Sequence, residues 1–489
     1  MSASAQPVNE TKLHEFMMKA VGEMGAAMNA ALILVGDKLG LYKAMAGAGP
    51  MTSVELAAKT KTTERYVREW LSAQAAGGFV TYDASSQKFT LPPEQAMALA
   101  DEQSPVFLPG FFQAVSACII DEPKISEVFR TGKGMGWHEH HHSLFAATER
   151  FFRPNYRAHL INEWIPALGD SEAKLKAGAK VADVGCGLGT STILMAQAFP
   201  KSTFVGFDYH PQSIELAREA AAKAGVSDRV KFEIAKAKDF PGKGYQLVAF
   251  FDCLHDMGDP EGAARHVLGS LDANGAWMIV EPFANDKLED NLNPIGRVFY
   301  GASTMLCTPA SLSQEVGLGL GAQAGEGRLS KILKSAGFTR VRRAAETPFN
   351  IVLEALACCA INSRGAGRKL CAERGRRPCS VPTGICRLRD APVPLVMDPA
   401  AEPCDPQKGQ KRRPASCDQP AAAVLSASAS RKAPDRARIP GRLHRSSSGL
   451  GPAPQKTLHE KGRARELRDR DLIFSPVWLS FPSVPSCPF

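Results

Sequence analysis

The stretch from Val181 to Asp208 constrains the fold more than any other part of the chain. It reads Val-Ala-Asp-Val-Gly-Cys-Gly-Leu-Gly-Thr, then a helical run, then Phe-Val-Gly-Phe-Asp. An apolar strand enters a turn that has glycine at alternate positions, Gly185, Gly187 and Gly189. Glycine there supplies positive φ and lets the backbone come close to a bound molecule. A helix is expected over Ser191–Phe199, stopped by Pro200, and a second apolar strand ends on Asp208. A carboxylate about 20 residues beyond such a turn is placed to hold a ribose. The unit therefore reads as a nucleoside-binding strand–helix–strand.

The residues also narrow the nucleoside. A dinucleotide fingerprint, G-x-G-x-x-G, needs glycine at 190, where Thr190 stands. Asp183 sits inside the turn, where a negative charge would repel a pyrophosphate and suit a cation. S-adenosyl-L-methionine, with a sulfonium and an ammonium, meets that requirement. A glycine-rich turn without a ligand is the alternative.

The chain has 489 residues and a net charge of +9, which invites a nucleic-acid reading. The charge is unevenly placed, however. From Leu356 onward there are 24 Lys and Arg against 11 Asp and Glu, a net +13 that leaves the first 355 residues at −4. Bulk charge therefore gives the body no affinity for nucleic acid. Of 12 cysteines, only Cys118, Cys186, Cys253 and Cys307 precede residue 356, with neither metal-site nor disulfide spacing. A reducing, cytoplasmic setting is expected. The N-terminus lacks the basic and apolar regions of a signal peptide. No run stands out as a membrane span, and no membrane association is expected.

Residues 10–100 read as a winged helix. Phe16–Met45 is apolar at helical spacing, loosened by Gly22, Gly25 and Gly36. Thr52-Ser53-Val54-Glu55 is a capping box. A second helix is expected over Thr63–Ala76, and Phe79–Tyr82 with Lys88–Leu91 should form a hairpin. Lys61, Arg65 and Arg68 suggest DNA recognition by that helix, but Glu64 and Glu69 interleave with them. A dimerisation module that roofs an active site is the preferred reading. Residues 101–175 form a helical connector: apolar helices over Pro105–Val128, a flexible loop at Gly132–Gly136, and an amphipathic helix over Tyr156–Leu168. Between them stand His138, His140, His141 and His142. Adjacent residues cannot all face one ion and no further ligand follows at suitable spacing, so no metal is expected and the cluster reads as a polar loop near the substrate mouth.

From 176 to 355 strands and helices alternate, as in a parallel sheet covered on both faces. Ligands in such sheets bind beyond the carboxyl ends of the strands. The residues there are Asp183–Gly189, Asp208, Asp239, Asp252–Asp256 and Glu281. A long loop is expected over Asn291–Gly327, a helix over Arg328–Ala336, and a closing strand pair at Phe338–Ala344 and Phe349–Ala355.

His255-Asp256-Met257-Gly258-Asp259 makes the resemblance specific. Residues 10–355 resemble a class I S-adenosylmethionine-dependent methyltransferase with an N-terminal winged helix, the arrangement of small-molecule O-methyltransferases. A bacterial-type branch is suggested by Trp137–Pro154 and by Asn291-Leu292-Asn293-Pro294. The resemblance implies His255 as general base, with Glu281 and Glu326 bracketing it. It implies donor contacts from Asp183, Gly185, Gly187, Gly189, Asp208, Asp239 and Asp252. It also implies a small-molecule acceptor and a homodimer through the N-terminal domain. Met257 stands where the motif has tryptophan, and Lys236 where an acid contacts adenine, so Asp239 is the substitute for that acid. The expected fold is α/β: a seven-stranded Rossmann-like sheet at 176–355, a winged-helix domain at 10–100, and a disordered tail at 356–489 that resembles no part of the family. A winged-helix DNA-binding regulator that senses the donor is the competing reading.

Overall fold

The computed structural model describes residues 8–357. The expected disordered tail, apart from its first two residues, and the basic run Lys411–Pro414 lie outside them.

Helix α1 spans Glu10–Lys38 and is capped by Asn9, whose side chain accepts from the Lys12 N–H. It is followed by α2 (Leu41–Met45), α3 (Ser53–Thr60) and α4 (Glu64–Ala76). The capping box forms as the sequence requires. Thr52 accepts from the Glu55 N–H while Glu55 accepts from the Thr52 N–H. Strands β1 (Thr81–Asp83) and β2 (Lys88–Thr90) pair as the wing. Tyr42, Trp70, Leu71, Leu56 and Phe89 fill this domain's core. On α4, Arg65 pairs with Glu69 and Arg68 with Glu64, so the basic side chains are matched on their own helix.

Helix α5 (Pro93–Leu99) leads to α6 (Pro109–Thr131), α7 (Ser143–His159) and α8 (Ser171–Ala177). Strands β3 (Lys180–Val184), β4 (Thr203–Asp208), β5 (Val230–Ile234), β6 (Tyr245–Phe251), β7 (Leu271–Pro282), β8 (Arg340–Glu346) and β9 (Asn350–Leu356) form one sheet in the order β5-β4-β3-β6-β7-β9-β8. Pairing is parallel from β5 to β7 and antiparallel at β9 and β8. Helices α9 (Thr190–Ala198), α10 (Pro211–Lys223), α11 (Pro260–Ser270), α12 (Pro294–Ala302), α13 (Thr308–Leu312) and α14 (Gly325–Ser335) complete the domain.

Strand β6 shows why the sheet is central. Successive side chains of a strand point to opposite faces. Leu247, Ala249 and Phe251 enter one core with Trp164, Met195 and Ile214. Val248 and Phe250 enter the other with Val267, Trp277 and Leu333. A strand buried on both faces needs the nearly continuous apolar run found there. Strand order reverses at β3, with β4 on one side and β6 on the other, which opens a crevice at their carboxyl ends.

Four expectations are corrected. Helix α7 runs through Pro154 to His159 rather than starting at Tyr156. The Gly132–Gly136 loop is pinned, with the Met135 N–H donating to the Pro309 carbonyl at 2.9 Å. The segment 291–327 is not a loop, because α12, a π-wound turn at Ser303–Cys307 and α13 occupy most of it. Finally, α1 has the length and apolar composition of a membrane span. Its exposed residues include Leu13, Phe16, Met17, Met24 and Met28.

Gly189 has φ of 80°, and a Cβ there would lie 2.5 Å from the Phe232 ring. Gly189→Ala is expected to cost roughly 1–3 kcal/mol of backbone strain, with overpacking of similar size added. Urea unfolding of the two proteins side by side checks this; an unchanged midpoint would contradict the packing described.

Candidate active site

The three glycines of the elbow have different reasons to be there. All have positive φ. A Cβ on Gly185 would lie 2.7 Å from Cys253 Sγ, and one on Gly189 would strike Phe232. A Cβ on Gly187 would meet nothing within 4 Å. The outer two are demanded by packing, while the middle one leaves backbone open to a ligand. Asp208 closes the elbow. Its carboxylate accepts the Gly187 N–H and the His210 N–H, each at 2.9 Å. Burial pushes its pKa up, and those two bonds work against the rise.

Asp183 is the next-to-last residue of strand β3 and is buried, rather than lying open in the turn. Its Oδ2 accepts the hydroxyls of Ser191 and Thr192, each at 2.6 Å. Its Oδ1 is buried and has no hydrogen-bond partner. Burial pushes this carboxyl up to about 6. An orphaned carboxylate oxygen beside an open glycine fits a ligand that brings a cationic donor group.

Asp252 sits just past β6 in the left-handed region, with φ of 50°. It is spent on the protein: Tyr156 donates to Oδ2 at 2.9 Å and Asn350 to Oδ1 at 2.7 Å. Burial and the nearby Glu281 raise it to about 7. Asp239 is exposed and accepts the Lys236 N–H at 3.0 Å, which makes it a turn-former in the loop after β5.

Past Asp252 the chain turns once through Leu254–Asp256 and buries His255. Its Nδ1 lies 2.6 Å from Glu281 Oε2 at the end of β7, and the other Glu281 oxygen accepts the Leu254 N–H at 3.0 Å. Glu281 is the nearer of the two carboxylates that face the ring and favours the proton on Nδ1, so Nε2 is the end that gains or loses a proton. That Nε2 lies 3.2 Å from Asp256 Oδ1. Burial alone would lower the imidazole's pKa, but Asp256 and Glu281 outweigh it and hold the pKa well above the ordinary value. The second oxygen of Asp256 accepts the Trp137 indole N–H at 2.9 Å.

Glu326 does not join this group. It lies in the first turn of α14, one-third exposed, and pairs with Arg343 at 2.8 Å. It lines an open cleft of about 670 Å³ with Asp286, Lys331 and Lys334, none of which belongs to the elbow. The bracketing of His255 therefore comes from Glu281 and its own neighbour Asp256.

Four residues near this centre were not singled out in the sequence. Trp137 reaches Asp256 from the segment between α6 and α7. Tyr156 and Asn350 hold Asp252. Cys307 comes from the π-wound turn. The histidine cluster also divides: His138 and His142 are exposed, while His140 is buried with Nδ1 3.0 Å from Asp121 Oδ2. The segment read as a polar loop therefore sends one of its four histidines into the interior.

The parallel sheet with its glycine elbow, preceded by a winged helix, has the fold of class I S-adenosylmethionine-dependent methyltransferases. Residues 175–337 match the family described as a methyltransferase domain, and residues 27–101 match the Rv2258c-like winged HTH domain. The chain is similar to the 27-O-demethylrifamycin SV methyltransferase of Amycolatopsis mediterranei, at 29% identity over 171 residues, 33% of this chain and 55% of that protein. The chain thus spans about half the length of that relative. In fold it is similar to the mitomycin 7-O-methyltransferase, with a TM-score of 0.52 and 19% identity over 71% of this chain and 100% of that one. The human N-acetylserotonin methyltransferase, solved with S-adenosylmethionine, gives 0.50 and 15% over 73% and 99%.

Proposed function

We propose that the chain transfers a methyl group from S-adenosylmethionine to a hydroxyl of a small molecule, with His255 as general base. The observation that carries this reading is the buried His255–Glu281 pair, set against the glycine elbow through Cys253 and Gly185. The relatives named for methylating oxygen support the choice of acceptor atom.

S-adenosylmethionine supplies an electrophilic methyl carbon on a positively charged sulfur. The protein's own tasks are to hold the partners in line and to take up a proton. Asp208 would hold the ribose hydroxyls, with its own position fixed by two backbone N–H groups. The orphaned Asp183 oxygen would receive the donor's ammonium, directly or through a water. His255 Nε2 would take the hydroxyl proton as the acceptor oxygen gains negative charge. Glu281 would keep the ring in the Nδ1–H tautomer and stabilise the imidazolium that forms. Asp256, oriented by Trp137, would add to that stabilisation. Asp252 is assigned to structure, since Tyr156 and Asn350 occupy both its oxygens. Glu326 and Asp239 receive no role in the chemistry.

The N-terminal domain is assigned to dimerisation rather than DNA binding. Internal pairing of Arg65 and Arg68 on α4 speaks against a phosphate-binding face. Leu13, Phe16, Met17, Met24 and Met28 form a stripe at helical spacing on α1 that the described residues leave exposed. A second copy would cover it. The free thiols of Cys118, Cys186, Cys253 and Cys307 suit a reducing, cytoplasmic setting.

His255→Ala is expected to lower turnover about 100- to 10,000-fold while donor affinity, read by calorimetry, is unchanged. Undiminished turnover against a panel of phenols and alcohols would reject the base. Because a base works only when neutral, kcat should rise with pH, with its inflection above the ordinary histidine value of about 6.5. Asp256→Asn removes one of the charges that raise this pKa, so its inflection should move to lower pH. For the dimer, Phe16→Glu with Met24→Glu should sediment as a monomer where the parent sediments as a dimer; identical sedimentation would exclude this interface.

A further inference from the structure

We infer that His255 Nε2, Asp256 Oδ1 and Cys307 Sγ form a binding site for one thiophilic divalent cation of the zinc type, and that its occupancy switches methyl transfer off. The switching rests on the base role proposed above; the binding does not.

The three ligand atoms lie within 4.8 Å of one another, and all three residues are buried. Imidazole nitrogen, carboxylate oxygen and thiolate sulfur are the ligands zinc takes, and three of them leave a fourth position for water. His255 Nε2 and Asp256 Oδ1 are 3.2 Å apart, close to the roughly 3.3 Å edge of a tetrahedron built from ~2.0 Å bonds. Cys307 Sγ lies within 4.8 Å of both.

A second observation points to the same place. Asp256 Oδ1 is buried and has no hydrogen-bond partner among the described residues, although the imidazole nitrogen is its neighbour. With the ring in its neutral Nδ1–H form, two electron-pair donors face each other there, and something positive is needed between them. A proton on Nε2 or a metal ion would serve.

The supports behind these ligands are also in place. Metal-bound histidines usually give their other ring nitrogen to a carboxylate, and His255 Nδ1 has Glu281. The Trp137 indole holds Asp256 Oδ2, which leaves Oδ1 for the centre. Cys307 is the last residue of the π-wound turn Ser303–Cys307, which shifts the helical register where α12 passes into α13. Such turns occur often at functional sites.

The charge balance suits a buried site. On binding, the Cys307 thiol gives up its proton to solvent and a metal–sulfur bond forms, with no change of oxidation state. The thiolate and the Asp256 carboxylate then cancel the two positive charges. Burial pushes the free thiol up to about 12, so the metal itself has to displace that proton, as coordinated metals do. The cost to activity is direct, because the Nε2 lone pair becomes a metal bond and can no longer accept a proton.

The test uses the full chain with Co²⁺ as the optical substitute for zinc, reading the thiolate-to-cobalt band. Cysteines elsewhere contribute to that band, so the difference between proteins is what counts. Cys307→Ala and His255→Ala should each lose one bound equivalent relative to the parent. Cys307→Ser, closer in shape, should lose the same equivalent, with circular dichroism confirming its fold. Unchanged stoichiometry in the folded variants would overturn the site. One equivalent of Zn²⁺ should lower methyl transfer by the parent at least about tenfold, and a chelator should restore it. Cys307→Ala should turn over in the presence of zinc. If the cobalt equivalent is lost as expected but zinc leaves turnover intact, the site stands and both the switching and the base role of His255 fall.

Discussion

Each of four central strands carries a buried or half-buried carboxylate at or next to its carboxyl end: Asp183 in β3, Asp208 closing β4, Asp252 just after β6 and Glu281 in β7. Four acids gathered at one edge of a low-dielectric core repel one another and oppose their own ionisation. The fold tolerates this because each has fixed partners: Ser191 and Thr192 for Asp183, the Gly187 and His210 N–H groups for Asp208, Tyr156 and Asn350 for Asp252, and Leu254 with His255 for Glu281. No lysine or arginine is among these partners. The edge is left negative, and a positively charged small molecule is the ligand such a place selects.

The rest of the molecule serves that edge. The outer glycines bring the elbow against Cys253 and Phe232, which sets β3, β4 and the loop after β6 in register. Helices α6 and α7 bring Trp137 to Asp256 and Tyr156 to Asp252, so the connector takes part in the site as well as joining the two domains. The antiparallel pair β8–β9 brings Asn350 beneath Asp252. A change in any of these elements would be felt at the carboxylates through one hydrogen bond.

The sheet and the elbow were legible in the sequence because their physics is local. Glycines at alternate positions, apolar runs of about five to seven residues and helix stops at Pro200, Gly225 and Gly337 fix the elements without knowledge of neighbours. Asp208 was readable for the same reason, as it closes a strand, whereas the pairing of Glu281 with His255 came from the family resemblance. What escaped depends on contacts distant in sequence. Glu326 sits in a motif-like Gly-Glu-Gly, yet Arg343 on β8 claims it. Asp183 looks like part of a turn but belongs to a strand, and the α9 hydroxyls draw it inside. In the 291–327 segment, prolines at 294 and 309 and a one-residue π shift break the helical period, so it read as loop and Cys307 stayed hidden. Trp137 stands 119 residues from its partner Asp256, and no local pattern links them. The tail beyond Ala357 lies outside the described residues.

The negative strand edge is most directly probed by calorimetric titration of the full chain with S-adenosylmethionine, alongside Asp208→Ala. The expected result is one molecule bound per chain, weakened about tenfold or more by the substitution, a change of ~1.4 kcal/mol. No heat of binding in the parent, or the same affinity in both proteins, would contradict the account.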